Sequence, residues 1–175
     1  MVLLEESWRE LFALSSAQFG LPVELTANGI STENNESILM ELKNLQECIQ
    51  KFQAMNVDPT EFACLRAIIL LKTHLENSQE ENNSKELRDQ TTINNLQDQA
   101  QLTLSKYIAT AYPNQPSRFG KLLLLLPNLK SISGKAIEEL FFKKTIGAIP
   151  IERIICDMYK AGAVWKKYTS SYRDQ

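Results

Sequence analysis

Apolar positions along the chain recur at helical spacing from the first residues onward. Leu3, Leu4, Trp8, Leu11, Phe12 and Leu14 fall on one side of a helix. This helix is expected to run to Phe19 and stop at Gly20-Leu21-Pro22, since glycine and the residue before proline both disfavour continuation. Residues 23–36 are polar and read as a loop. A second helix is predicted from about Ser37, with Ile38, Leu42, Leu45, Ile49 and Phe52 on one face. Asp58-Pro59-Thr60-Glu61 is a start signal: Asp58 can cap, Pro59 suits the first helical position, and Glu61 stands three residues after the cap. The helix that follows, Phe62 to Leu71, is apolar nearly all round, as expected of a central and fully buried helix. Residues 76–90 read as a polar surface loop. A long helix is then predicted from about Thr92 to Tyr112, with Ile93, Leu96, Ala100, Leu104, Tyr107 and Ile108 turned inward and Pro113 ending it.

Ser117 to Lys144 holds the most unusual stretch, five consecutive leucines between Lys121 and Pro127. Such a run puts apolar groups on every side of a helix. Either the helix is buried all round or its outer face meets another protein. Pro127 is expected to kink it, with the helix resuming through Ile132, Ile137, Leu140, Phe141 and Phe142. Gly147 and Pro150 punctuate a connection to a last short helix, Ile151 to Lys160. There Ile151, Ile154, Ile155 and Met158 form an apolar stripe, with Glu152, Arg153 and Asp157 facing away. A helix this short borrows its stability from the surface it lies on. It is either an ordinary terminal helix sealing the core, which is the commoner use, or a mobile helix that fills a hydrophobic groove. No alternating strand pattern, hairpin turn or internal repeat is visible. The pattern predicts an all-α, antiparallel stack of about seven helices.

Composition adds limits. A chain of 175 residues builds one well-buried core and is short for two domains. Net charge is −2, so electrostatics do not mark the whole chain as a nucleic-acid binder. The charge is unevenly split. Residues 1–117 carry 8 Lys/Arg against 16 Asp/Glu, a net of −8, and residues 118–175 carry 11 against 5, a net of +6. The halves either attract each other across the fold or leave a basic surface near the C-terminus for a partner. Cys48, Cys64 and Cys156 stand at no metal-binding spacing and suit free thiols in a reducing compartment. Charges at Glu5, Glu6, Arg9 and Glu10 interrupt any signal-like segment, and the apolar run Leu122–Pro127 is too short to span a bilayer.

Catalytic chemistry finds little footing. The lone histidine, His74, stands beside the polar loop and reads as a surface residue. Nucleophilic catalysis needs a base beside Ser, Cys or Lys. The adjacent pairs Glu5–Glu6 and Glu138–Glu139 diverge by about 100° on a helix and do not converge on a substrate. There is no phosphate-cradling glycine loop and no HExxH. The chain is expected to bind other macromolecules and not to be an enzyme.

These residues resemble the ligand-binding domain of a nuclear receptor, most of all the tailless and photoreceptor-specific group of orphan receptors. The resemblance runs from about residue 2 to 160. It lies in Leu3-Leu-Glu-Glu-Ser-Trp-Arg-Glu-Leu-Phe12, Asp58-Pro-Thr-Glu-Phe-Ala-Cys-Leu65, Leu96-Gln-Asp-Gln-Ala-Gln-Leu102, Arg118-Phe-Gly-Lys-Leu-Leu-Leu-Leu-Leu-Pro127 and Glu138-Glu-Leu-Phe-Phe-Lys-Lys-Thr-Ile-Gly147. The first two mark the superfamily. The leucine run and the Phe-Phe-Lys-Lys-Thr-Ile-Gly segment are taken as specific to the subgroup.

The resemblance implies an antiparallel helical sandwich in a nuclear transcription regulator of the repressor type. It implies a dimerisation helix at 118–129, with Arg118, Phe119, Leu122, Leu123, Leu126 and Leu129 at the interface. It implies an activation helix carrying Ile151, Ile154, Ile155 and Met158 that folds back into the coactivator groove, which Leu4 and Glu5 border. Trp8, Phe12, Phe62 and Leu65 are the implied core. Implied partners are a receptor homodimer or heterodimer and a corepressor of the Atrophin type, with no direct DNA contact by this chain and no membrane. No cofactor is implied, since the family's zinc belongs to a DNA-reading domain that is absent here, although a lipophilic ligand would make the domain ligand-gated instead. A third alternative is a truncated form competing for receptor dimer partners. The chain is expected to be an N-terminally truncated domain over 1–160 with an extension of no recognised counterpart over 161–175. The missing helices are expected to leave the apolar sides of Trp8 and Phe12 partly uncovered.

Overall fold

A computed structural model describes residues 1–21, 35–72 and 89–171, with the side chains of 35 and 163–171 left out. Among the described residues there are helices and turns and no strands. The helices are α1 (Val2–Phe19), α2 (Asn35–Ala54), α3 (Pro59–Leu70), α4 (Gln90–Ala111) and α5 (Arg118–Leu125). A 3-10 segment (Leu126–Ser131) follows, then α6 (Gly134–Ile137), a π turn (Glu138–Phe142), α7 (Lys143–Ile146) and α8 (Ile151–Ser171). The expected loops at 23–36 and 76–90 lie almost wholly outside the described residues, as does His74. At their edges α2 and α4 begin slightly earlier than the apolar pattern suggests. Among the described residues no helix is long and apolar enough to cross a membrane.

Local chemistry explains the boundaries. Gly20 ends α1 in the left-handed conformation, φ 59°, and its N–H returns to the Ser16 carbonyl. Asp58 caps α3 by accepting from the N–H groups of Thr60 and Glu61, at 2.8 and 2.9 Å. The Glu61 carboxylate accepts from the Asp58 N–H at 3.0 Å, completing the reciprocal capping box. Asp89 caps α4 through the Thr92 N–H. Pro127 does more than kink a helix. The α-helical turn gives way at Leu126 to a 3-10 segment, and Ile132 beyond it is extended.

The core joins α1 (Trp8, Ala13, Leu14), α2 (Leu45, Ile49, Phe52), α3 (Phe62, Leu65, Ile69) and α4 (Leu104, Ile108) to Leu122, Leu129, Ile132 and Ile137 from the second half of the chain. Helix α1 is the central element, packed against α2, α3, the 3-10 segment and α8. Helix α3 lies between α1 and α4. Contrary to its all-round apolar sequence it is not buried on every side, because Ala63 is exposed and Cys64, Arg66 and Ala67 are half-buried. On α4, Leu96 was expected inside and is instead 44% exposed. Only Leu104 and Ile108 of that helix are fully buried.

Trp8 is not left uncovered. The second half of the chain closes over it, with Gly134 so near that a Cβ there would sit 3.0 Å from Trp8 Cζ2. Phe12, at the edge of the core, is covered by Phe141 and Phe142, whose ring centroids lie 5.0 and 5.7 Å from its own.

Candidate functional site

The residues singled out in the sequence fall on two surfaces, α8 lying on α1 and the outer side of α5. Helix α8 starts after Gly147, whose φ of 71° and ψ of −141° belong to glycine, and after Pro150. Its first N–H, that of Ile151, donates to Glu138 Oε1 at 2.7 Å. At the next residue, Trp8 Nε1–H donates to Glu152 Oε1 at 2.8 Å. Next along the helix the Cys156 thiol donates to Glu5 Oε1. That hydrogen bond, followed by desolvation and the Glu5 charge, raises the thiol's pKa, so Cys156 stays a neutral donor. Ile151 and Ile155 pack on the core.

This docking register differs from the apolar stripe. The face on α1 is Ile151, Glu152, Ile155 and Cys156, whereas the stripe was Ile151, Ile154, Ile155 and Met158. At about 100° per residue the two faces are about 80° apart. Glu152 was expected to face away and instead holds the Trp8 indole. Ile154 is half-buried and Met158 is 70% exposed. Arg153 and Asp157 do face outward and approach each other at 4.0 Å. Leu4 is 39% exposed beside this helix, while Glu5 is engaged by Cys156.

Helix α5 divides the leucines by angle. Leu122 is fully buried, and Leu124, about 200° further round, is 76% exposed. Phe119, Leu123, Leu125 and Leu126 are half-buried along the flanks, and Leu129 is buried in the 3-10 segment. Arg118, expected on a dimer face, points inward. Its Nε and Nη2 donate to the two oxygens of fully buried Glu61 at 2.6 and 2.7 Å. Its remaining donors reach the Met55 and Asn56 carbonyls, which close the α2–α3 corner. The Glu61 hydrogen bond is the main reason its pKa rises, so the guanidinium is permanently charged. The guanidinium also lies 4.1 Å above the Tyr112 ring. Arg118 and Leu122 therefore hold α5 from inside, with Leu129 buried beside them, and Leu124 stands on the opposite, exposed side.

Tyr107 and Tyr112 complete this anchor, both donating to Asp58 Oδ2, at 2.7 and 2.8 Å. Sequence patterning placed Tyr107 in the core and gave Tyr112 no role. A capping aspartate with a free oxygen, near in space to hydroxyls about 50 residues away, leaves no local trace. A cleft of about 440 Å³ opens between the ends of α1 and α2, lined in part by Gln18, Phe19, Phe52, Gln53, Asn56 and Phe62. Its amide-rich, open wall is unlike the enclosed apolar cavity a lipophilic ligand requires. Among the described residues no cluster of His, Cys, Asp or Glu could hold a metal ion.

Among the described residues the molecule is a helical stack whose terminal helix is folded onto its first helix. Comparison with known proteins makes this specific: residues 1–146 match the model for the ligand-binding domain of nuclear hormone receptor, and the chain belongs to that family. The family is not one of enzymes. The chain is 37% identical over 171 residues to the steroid receptor seven-up, isoforms B/C, of Drosophila melanogaster, covering 93% of this chain and 30% of the relative. It is 34% identical over 185 residues to nuclear receptor subfamily 2 group F member 5 of Danio rerio, covering 100% of the chain and 44% of the relative. It is 34% identical over 174 residues to nuclear receptor subfamily 2 group F member 6 of Mus musculus, covering 94% and 42%. The chain thus spans less than half the length of these relatives. They are seven-up and group F receptors, so the family placement does not depend on the tailless-group segments.

Proposed function

We propose that this chain serves in a nuclear transcription regulator of the orphan-receptor kind, in which α8 covers the coactivator groove and the outer side of α5 carries self-association or pairing with another receptor. The observation that carries the reading is α8 seated on the Glu5–Trp8 stretch of α1, held there by Glu138, Glu152 and Glu5. A helix in that position keeps a second amphipathic helix out, which favours repression and the recruitment of a corepressor such as one of the Atrophin type. The identities to seven-up and group F receptors support a place beside those orphan receptors over the tailless group. On this reading the protein acts in the nucleus.

The pairing surface is tested by Leu124→Arg. That side chain is 76% exposed, so a charge there leaves the core intact. Sedimentation velocity on the full chain is expected to show self-association weakened roughly tenfold or more, as for a central apolar contact. An unchanged distribution of species, with unchanged helical circular dichroism, would overturn the assignment of this surface.

A further inference from the structure

Residues Glu138 to Phe142 form a π turn, in which the Lys143 N–H returns to the Glu138 carbonyl, five residues back. Hydrogen bonds in a π turn are poorer than in an α-helix, and the form persists where surrounding contacts or function hold it. Here both kinds of contact are visible. Phe141 and Phe142, adjacent in sequence, both lie against Phe12 of α1. The Glu138 side chain, at the head of the same turn, accepts from the Ile151 N–H at the head of α8. Phe12 and Trp8 are four residues apart on α1 and share a face, so one stripe of α1 carries the π turn on Phe12 and α8 on Trp8. The extra residue in the turn rotates everything after it by about 100° relative to an unbroken α-helix. Were the turn to revert to α-helical spacing, the Glu138 carboxylate and the Ile151 N–H would no longer meet.

We propose that the π turn is a latch for α8: packing of Phe141 and Phe142 on Phe12 sets the turn, and the turn sets whether Glu138 can hold the terminal helix on α1. This regulatory role rests on the reading that α8 covers the groove, and names what releases it. The connection from the latch to α8 is short, and Gly147 supplies the sharp backbone conformation it needs.

Hydrogen–deuterium exchange of the full chain, followed by mass spectrometry over residues 151–160, tests the latch. Glu138→Ala is expected to speed exchange there roughly fivefold, the effect of losing a helix cap, while amides of α1 and α3 keep their protection. Glu138→Gln retains an acceptor oxygen and is expected to stay within about twofold of the unaltered chain. Phe142→Leu alters the packing on Phe12 of α1 while leaving the Glu138 carboxylate in place, and is expected to speed exchange in α8 in the same direction as Glu138→Ala. The latch is overturned by an unchanged α8 in Glu138→Ala or in Phe142→Leu, by Glu138→Gln behaving as the alanine variant, or by an equal loss of protection across α1 and α3. Unprotected 151–160 amides in the unaltered chain would instead sink the docked reading itself, and the latch with it.

Discussion

Asp58 divides its two oxygens between two jobs. One oxygen caps α3 through Thr60 and Glu61, and the other receives the hydroxyls of Tyr107 and Tyr112. Burial alone would raise its pKa. The hydrogen bonds from the Glu61 N–H, Tyr107, Tyr112 and the Thr60 N–H outweigh it and hold the carboxyl below its ordinary value of 3.8. The same bond pushes the Tyr112 hydroxyl up to about 12, so that tyrosine stays a donor at any physiological pH. A carboxyl with a depressed folded-state value contributes stability that is fully present above 3.8 and is lost as the pH falls through the lowered value. Asp58→Asn keeps the cap, since asparagine caps as well as aspartate, but puts an amide in place of the charged acceptor of the two tyrosine hydroxyls; it is expected to cost about 1 kcal/mol at pH 7 and to flatten the acid limb of a stability profile taken between pH 6 and 2.5. Denaturant titrations followed by circular dichroism read both effects. An acid limb as steep as that of the unaltered chain would show that Asp58 is not its source.

Elements were legible in the sequence where a local rule fixes them. Asp58-Pro-Thr-Glu announces α3, Gly20 ends α1, and the apolar spacing of α2 lies where the core is. Rotation of an element about its own axis was not legible, because it depends on what lies across from it. The stripe of α8 gave a face about 80° from the docked one, since Trp8 and Glu5 of α1 offer hydrogen bonds that draw in Glu152 and Cys156. Arg118 reads as a surface charge until buried Glu61 is seen opposite it. The π turn has no sequence rule at all. The Ser117–Lys144 stretch was expected as a kinked helix and is a helix, a 3-10 segment and a helix with a π turn. The close approach of α6 to α1 was equally hidden, though it yields a sharp expectation. A methyl at Gly134 meets Trp8 Cζ2 at 3.0 Å and Arg9 Cδ at 3.3 Å. Arg9 is long enough to move, whereas the Trp8 ring is buried and fixed through its indole N–H. Alanine gains up to about 1 kcal/mol in helix propensity, and overpacking costs about 1–3 kcal/mol. Gly134→Ala is therefore expected to lower stability by roughly 1 kcal/mol in urea titration, and a gain would mean that the ring shifts freely.

Across the whole molecule, the acidic and basic parts of the chain meet through specific bonds. Glu5, Glu41 and Glu61 of the acidic part accept from Cys156, the Ser133 N–H and Arg118 of the basic part. Of these three, only Arg118–Glu61 pairs opposite charges, and it is buried, with side chains 4% and 0% exposed. Removing one member strands the other's charge. Arg118→Met is expected to cost about 3–5 kcal/mol, and Glu61→Leu combined with it to recover part of that loss, because leucine also takes the acceptor from the Asp58 N–H of the capping box. For a domain of ordinary stability, about 5–15 kcal/mol, the single change would leave little margin. A small effect in chemical denaturation would show that water already reaches the pair. Trp8 has a consequence of another kind. Its ring rests on Gly134 and its N–H is given to a carboxylate of α8, so its surroundings change whenever that helix departs. Indole emission shifts in colour as water and charge come and go around it. The molecule therefore carries its own optical gauge, on a side chain that α1 shares with both α6 and α8, and in a chain whose Trp165 is replaced by Phe that gauge is the only emitter of its kind.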